Sequence, residues 1–182
     1  MRMNNRIFLI FLLVTPLIVI IGSTLAFNLG YSPENTKNNG TFFDSYFEVD
    51  PKSLVDESGA VIEFEDGKWI LGVYYSNDLN FENALYVMRQ LNVALNRDIF
   101  KLKRIFVQSK SFQPNTQLLE YFPRIEIFND VNDGFINQIE QNTADYFSTP
   151  RIFVIDPYGR AVKFFDASMD PKLILKDLKV LI

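Results

Sequence analysis

The sequence predicts an α/β fold in which a mixed sheet has flanking helices and is preceded by one N-terminal transmembrane helix. Three observations predict it. A long apolar run comes first, short β-branched and aromatic runs then alternate with helical patterns, and a hairpin and a helix close the chain. Apolar residues make up 48% and charged residues 22% of the 182 residues, which allows one packed domain of ordinary size.

The apolar run covers residues 7–27, all of them uncharged, and as a helix it would span the roughly 30 Å core of a bilayer. Arg2 and Arg6 precede it and the next cation is Lys37. The positive-inside rule therefore predicts a cytoplasmic tail at 1–6 and the rest of the chain outside the cytoplasm. A cleaved signal peptide is the alternative, but its apolar core is typically shorter. The length of the run favours a retained anchor.

Cysteine and histidine are both absent from the sequence. Their absence removes disulfide exchange, thiolate nucleophiles, Cys/His zinc sites and imidazole acid–base catalysis. The four methionines show no clustered spacing that would indicate a copper site. The net charge of −4 argues against a nucleic-acid surface, which needs clustered Lys and Arg. We therefore expect no catalytic residue, no cofactor and no metal site.

Residues 28–58 are predicted to be a linker and N-terminal extension, because Asn, Gly, Ser and Thr are frequent up to about Asp50. The folded domain is predicted over residues 59–182, where the hydrophobic pattern alternates between strand and helix. The predicted strands lie at 60–65, 69–75, 104–108, 124–128, 151–155 and 161–165. The predicted helices lie at 81–96, 115–121, 131–142 and from 170 to the end.

Turn and cap residues support these boundaries. Residues 156–159, Asp-Pro-Tyr-Gly, have the composition of a type I turn and would join the last two strands into a hairpin. Asp170 and Pro171 are typical of a helix cap followed by the first helical residue. Asn80 or Asp78 is expected to cap the first helix of the domain.

Strand, helix, strand, then a later hairpin and a terminal helix is the order of a thioredoxin-like α/β domain. Ser148, Thr149 and Pro150 stand directly before the strand at 151–155. In thioredoxin-like domains a cis-proline occupies this place and faces the turn that normally carries the cysteines. This resemblance predicts a cis bond at Pro150, although only about 5–6% of X–Pro bonds are cis. An ordinary trans proline that opens an edge strand is the alternative.

Several short motifs carry a resemblance to a known family. They are Gly67-Lys68-Trp69, Ala84-Leu85-Tyr86, Met88-Arg89-Gln90, Ala94-Leu95, Asp156-Pro157 with Gly159, Asp170-Pro171 and residues 175–179. Over roughly residues 60–182 plus the anchor, the chain resembles the small membrane-anchored proteins associated with cytochrome c oxidase in bacteria, which are relatives of the Sco/SenC copper-delivery family. The resemblance implies a thioredoxin-like fold, an inner-membrane location and a periplasmic domain.

The chain departs from this family at its reactive positions. Relatives often carry Cys-x3-Cys in the turn before the helix, and the corresponding residues here are Asn77 and Phe81. The family also uses a histidine for copper, and this sequence has none. Copper delivery and dithiol chemistry are therefore not carried over, since an amide oxygen is a poor ligand for a soft ion and a phenyl ring is no ligand at all.

These features predict a non-catalytic, membrane-tethered binding module that assists cytochrome c oxidase assembly or maturation through a respiratory oxidase subunit or an assembly factor. The predicted partner surface consists of Ser76, Asn77, Asp78, Phe81, Thr149 and Pro150. For Phe81 taken alone, a core position is the preferred interpretation. A structural subunit of a membrane complex is one alternative. An enzyme that uses carboxylates is a weaker one, because turn and cap roles explain Asp156 and Asp170.

Overall fold

The N-terminal apolar run forms one continuous helix, α1, over Asn5–Asn28. The structure is a computed structural model, and it describes residues 5–29, 38–64, 67–75, 81–109 and 121–182. By length and composition, the stretch Phe8–Ala26 of α1 is able to cross a membrane. Thr15 and Thr24 donate their hydroxyl hydrogens to carbonyl oxygens one turn earlier, so both side chains are satisfied within the helix.

The chain divides into two compact units, Met1–Lys37 and Asn38–Ile182. The second unit contains a seven-stranded sheet with the order β1-β7-β6-β3-β4-β5-β2. Its strands are β1 Thr41–Glu48, β2 Leu54–Val55, β3 Trp69–Tyr75, β4 Leu102–Ser109, β5 Ile125–Asp130, β6 Arg151–Ile155 and β7 Arg160–Asp166. Strands β3, β4 and β5 run parallel, and the other neighbouring pairs are antiparallel, so the sheet is mixed as predicted.

Helices cover both faces of this sheet. Those of the described residues are α2 Glu82–Ala94, α3 Gly134–Asn142 and α4 Pro171–Leu181. Helices α2 and α4 pack on one face through Met88, Leu91 and Leu178, whereas α3 packs on the other through Phe135 and Ile139. Each helix therefore buries the apolar stripe that its periodicity predicts.

Strand β3 lies at the centre of the sheet and is buried on both faces. Leu71 and Val73 face the α2–α4 side, and Ile70 faces the α3 side. Between them, Gly72 has no space for a side chain, because an added Cβ would overlap the ring of Phe153 on the neighbouring strand β6. The absence of a side chain at Gly72 thus leaves space for the Phe153 ring to pack over β3.

Part of the predicted linker belongs to the folded unit. Strand β1 pairs with β7 at one edge of the sheet, and β2 pairs with β5 at the other. Phe43, Phe47 and Val49 alternate along this segment and pack into the α3-side core. The compact unit begins at Asn38, not at 59. The sequence pattern concealed this strand because its exposed residues are mixed: Asp44, Ser45 and Glu48 are polar, whereas Phe42 and Tyr46 are aromatic.

Two other elements are shorter than the sequence predicted. The strand at 60–65 reduces to a single bridge between Val61 and Val55. Helix α2 ends at Ala94, and the chain continues as a 3-10 turn over Asn96–Lys101, where Asn96 has a left-handed φ of 52°. An α-helix cannot continue through a residue of that conformation.

The predicted caps have different outcomes. At α2 the cap position is Phe81, whose side chain makes no capping hydrogen bond. The predicted caps Asn80 and Asp78 lie outside the described residues, and so does most of the predicted helix at 115–121. At α4 the prediction is confirmed, because the Asp170 carboxylate accepts a hydrogen bond from Lys172 N at 2.9 Å and Pro171 is the first helical residue.

The predicted hairpin turn is also confirmed. Gly159 N donates to the carbonyl oxygen of Asp156 at 3.0 Å. The Asp156 carboxylate accepts hydrogen bonds from Tyr158 N and Arg160 N, and the Arg160 guanidinium lies 2.6 Å from its Oδ2 atom. Asp156 thus has a structural role in the turn between β6 and β7.

A buried ion pair joins β7 to α4 and to the start of the folded unit. Lys163 Nζ lies 2.7 Å from Asp177 Oδ2, and the two side chains are 3% and 6% exposed. The same carboxylate oxygen accepts hydrogen bonds from Asn39 N and Gly40 N, and Lys163 also donates to the side-chain oxygen of Asn38. A buried pair stabilises a fold only when its remaining polar atoms are bonded in this way.

The surroundings of Asp177 affect its pKa in opposite directions. Partial burial raises the pKa, but hydrogen bonds from Lys163, Gly40 and Asn39 lower it by more, and the net pKa is below the ordinary value. The folded state therefore favours the ionised carboxylate. This contribution to stability is present above the unfolded-state pKa near 3.8 and is lost as pH falls through the lower folded-state pKa.

We predict that Asp177→Asn lowers the free energy of unfolding by about 3–5 kcal/mol, because it leaves the Lys163 ammonium buried without its counter-ion. Chemical denaturation of the full chain in mild detergent, followed by circular dichroism, measures this loss. Lys176→Gln, at the exposed neighbouring position, is the matched control and should change stability by less than about 0.5 kcal/mol. A small effect of Asp177→Asn on stability would contradict the stabilising role of the Lys163–Asp177 pair. The same contradiction would follow if the variant lost as much stability in acid as the unaltered chain does.

Candidate functional site

Three segments of the chain meet at the end of the sheet where β3 and β7 finish and β6 begins. Asn83, on the first turn of α2, donates to the carbonyl oxygen of Ala167 at 2.8 Å. Ala167 N donates to the carbonyl oxygen of Pro150 at 2.9 Å, and Thr149 Oγ1 donates to Asp166 Oδ2 at 2.9 Å. We call these five residues the Ala167 junction. They meet because β6 is antiparallel to both β3 and β7.

The carboxylate of Asp166 is fully engaged within this junction. Its Oδ1 atom accepts hydrogen bonds from Ser168 N and Ser168 Oγ, and its Oδ2 atom accepts the bond from Thr149. Partial burial raises the pKa of Asp166, but the bonds from Ser168 and Thr149 and the charge of Arg151 outweigh it and lower the pKa below its usual value. A carboxylate of depressed pKa is a weak base, so Asp166 is suited to fixing the junction.

Phe81 lies two residues before Asn83 and is half-buried. Its ring contacts Tyr75 edge-to-face with centroids 4.5 Å apart, and it lies 6.0 Å from the ring of Phe106. Phe81 therefore packs against the core beneath α2, and part of the same ring remains at the surface. Such a residue supports the helix start and also offers an apolar contact to a partner.

The structure describes half of the predicted partner surface. Phe81, Thr149 and Pro150 are described, and all three are half-buried. Thr149 and Pro150 are brought to the start of α2 through Ala167. The other predicted residues lie outside the described part of the chain, and they are Ser76, Asn77 and Asp78.

The predicted cis bond at Pro150 is wrong. The described part of the chain has no cis peptide bond, and the Pro150 bond is therefore trans. Trans is the lower-energy isomer of an X–Pro bond, so cis requires specific tertiary contacts. In this chain the neighbouring Thr149 side chain and the Pro150 carbonyl are bonded to the 166–167 segment with the bond in the trans form.

Sequence reasoning did not identify Asn83 and Ala167 as parts of this site. Asn83 bonds to a backbone carbonyl 84 residues away, and a backbone partner leaves no pattern in the sequence. The exposed polar residue on the first helical turn was the only available signal. The composition of residues 129–134 indicates a solvated acidic turn, whereas Asp130 is a buried carboxylate at the end of β5.

Asp130 lies at the same end of the sheet, where the parallel strands terminate. It is 1% exposed and accepts hydrogen bonds from Tyr74 Oη at 3.1 Å and from Phe135 N and Ile136 N at 2.9 Å. Burial raises its pKa, and the three hydrogen bonds do not offset this effect. Because its oxygens hold the start of α3 and are closed to solvent, Asp130 serves as a helix cap.

The described groups at this end of the sheet can therefore form hydrogen bonds and apolar contacts. The polar ones are amide, hydroxyl and carboxylate groups already bonded within the fold. Among the residues that the structure describes, no group of three or more His, Cys, Asp or Glu side chains is arranged to hold a metal ion.

Comparison with known proteins identifies both a family and a fold. The family described as transmembrane-like, thioredoxin-like, C-terminal domain matches residues 78–182. No curated protein matches the chain by sequence. The structure is similar to copper-bound ScoI of Bradyrhizobium japonicum, with 19% identity and a TM-score of 0.51 over 79% of this chain and 99% of that chain.

Two further structures show the same similarity. Copper-bound yeast Sco1 is 15% identical, with a TM-score of 0.56 over 80% of this chain and 92% of that chain. BsSco, described as a member of the Sco family of cytochrome c oxidase assembly proteins, is 11% identical, with a TM-score of 0.53 over 81% of this chain and 98% of that chain. These similarities confirm the predicted thioredoxin-like fold.

We predict that Phe81→Ala lowers the free energy of unfolding by about 2–3 kcal/mol, because it removes the ring that packs on Tyr75 and Phe106. Denaturant titration of the full chain measures the change. Tyr86→Ala on the same helix, where the side chain is 54% exposed, is the control and should cost less than about 1 kcal/mol. Equal stability of Phe81→Ala and the unaltered chain would contradict the packing role.

Proposed function

The chain belongs to the transmembrane-like, thioredoxin-like C-terminal domain family, and from this premise we propose that it is a non-catalytic, membrane-tethered binding module that assists cytochrome c oxidase assembly or maturation. One observation carries the proposal: a thioredoxin-like fold is retained in a sequence without cysteine or histidine. A scaffold that keeps its shape without its reactive groups acts through the surfaces it presents.

The proposed link to cytochrome c oxidase rests on three proteins of similar structure. BsSco is described as belonging to the Sco family of cytochrome c oxidase assembly proteins, and ScoI and yeast Sco1 have been seen with copper bound. Soft copper ions favour thiolate and thioether ligands. Asn77 and Phe81 stand where proteins of the resembled family often carry cysteines. We therefore propose that this chain assists oxidase assembly without binding copper.

The proposed partner surface combines Ser76, Asn77, Asp78 and Phe81 with the Ala167 junction, which contains Thr149 and Pro150. Its hydrogen-bonded frame holds Thr149 and Pro150 beside the start of α2, and the half-buried Phe81 offers an apolar contact. An extended segment of an oxidase subunit or of another assembly factor is the partner we propose. A membrane tether raises the local concentration of such partners, so a weak contact is sufficient.

The proposed location is a bacterial inner membrane. α1 is the anchor, and Arg2 and Arg6, which precede its apolar run, hold the N-terminus in the cytoplasm. The thioredoxin-like unit is then periplasmic.

We predict that deletion of the protein lowers the level of assembled cytochrome c oxidase and that the full chain restores it. Blue-native electrophoresis and oxidase activity in membranes measure the effect. Asn77→Ala/Asp78→Ala should fail to restore assembly and should no longer capture oxidase subunits in mild detergent. Lys172→Gln/Lys176→Gln, which alters the exposed lysine face of α4, is the control and should behave as the unaltered chain.

The outcomes separate three interpretations. An unchanged oxidase level in the deletion strain would refute the proposed function. Capture that persists in Asn77→Ala/Asp78→Ala and is lost in Lys172→Gln/Lys176→Gln would place the interface on α4. Stoichiometric recovery with the mature oxidase would indicate a structural subunit, whereas an assembly factor is recovered in smaller amounts.

We predict that the purified full chain retains no stoichiometric copper after incubation with Cu(I) and desalting, because it offers neither thiolate nor imidazole ligands. Metal analysis of the protein fraction measures retention, with yeast Sco1, which binds copper, as the positive control. Retention of one copper per chain would overturn the non-metal mechanism.

A further inference from the structure

A pocket of about 210 Å³ lies at the opposite end of the sheet from the Ala167 junction, where β3, β4 and β5 begin. Four of its lining residues are cations: Lys68, Lys103, Arg104 and Arg124. Among the described lining residues the one carboxylate is that of Glu126, whose Oε2 atom lies 3.6 Å from Lys103 Nζ. Two of these cations, Arg104 and Arg124, are guanidinium groups, and they lie in a chain whose net charge is −4.

Arg104 is the central cation of this pocket. Its residue is 6% exposed, and its Nη2 atom donates to the carbonyl oxygen of Pro123 at 2.6 Å. Within the described part of the chain it has no carboxylate at ion-pair distance. Burial lowers the pKa of Arg104, and the nearby cations Arg89 and Arg124 lower it further. A guanidinium has several N–H donors, so one carbonyl leaves donors for a ligand in the pocket.

Arg124 is held in an unfavourable backbone conformation. Its φ is +67°, in the left-handed region that glycine adopts far more readily than arginine. The residue is exposed at the rim of the pocket, directly before β5. Arg104 and Arg124 thus line the same small cavity, and the charge of Arg124 acts on Arg104.

We propose that this pocket binds an oxyanion of the phosphate class between Arg104 and Arg124. Guanidinium groups match the oxygen spacing of phosphate and carboxylate through paired hydrogen bonds. The two guanidinium charges of Arg104 and Arg124 favour a doubly charged phosphate over a singly charged carboxylate. This site is independent of the partner surface at the other end of the sheet.

The phosphate group could belong to a free anion or to a phospholipid headgroup, and two arms of one experiment distinguish these sources. In the first, the full chain in neutral detergent is heated with increasing inorganic phosphate at constant ionic strength, with sodium chloride as the balancing salt. In the second, the chain is held in nanodiscs of phosphatidylcholine with or without phosphatidylglycerol. Ligand binding to the folded state raises the unfolding midpoint in a saturable way.

The Arg124→Gly variant is the sharpest test, because glycine suits the backbone at this position while the charge is removed. We expect it to fold and to bind about tenfold more weakly in whichever arm shows stabilisation. Arg104→Gln should have the same effect on binding. Arg97→Gln changes an exposed arginine that does not line the pocket; it is the matched control and should bind normally.

Stabilisation by inorganic phosphate supports a free anion, and stabilisation by phosphatidylglycerol alone supports a headgroup, provided that Arg124→Gly weakens either effect. Absence of stabilisation in both arms would overturn the proposal. Equal stabilisation of Arg124→Gly and the unaltered chain would overturn it as well, because the anion would then bind elsewhere.

Discussion

The folded unit depends on the buried contact between Lys163 and Asp177. It connects three parts of the chain, since Lys163 lies on β7, Asp177 lies on α4, and residues 38–40 complete their hydrogen bonds. Removing two charges from water is costly, and only this full set of partners offsets that cost. The requirement for these partners explains why the start of the folded unit lies well before its central strand.

The two ends of the sheet have different chemistry. At one end, the amide, hydroxyl and carboxylate groups are hydrogen-bonded to one another and connect Thr149 and Pro150 to α2. The half-buried ring of Phe81 leaves an apolar surface there. At the other end, Arg104 and Arg124 keep unused donor capacity. The proposed partner surface and the proposed anion site therefore lie at opposite ends of the same sheet.

Much of the fold could be predicted from local patterns. The apolar run of β3 and the periodicity of α2 and α4 reflect burial of neighbouring residues, and such burial is visible in sequence. Strand β1 has no regular alternation of apolar and polar residues, because Phe42 and Tyr46 are exposed beside polar neighbours, so the sequence pattern did not predict it. The trans bond at Pro150 was not predicted because the cis bond of thioredoxin-like domains was assumed for this chain. The contacts of Asn83 with Ala167 and the exposure of Arg104 to a cavity depend on residues distant in sequence, so local patterns could not reveal them.

The placement of β1 determines where the protein can be shortened. A fragment starting at residue 59 would lose β1, and β7 would become a bare sheet edge that invites intermolecular pairing. It would also uncover the aromatic side chains that Phe43 shields, and it would strip the amide donors of Asn39 and Gly40 from Asp177. A water-soluble fragment for crystallisation should therefore begin no later than Asn38.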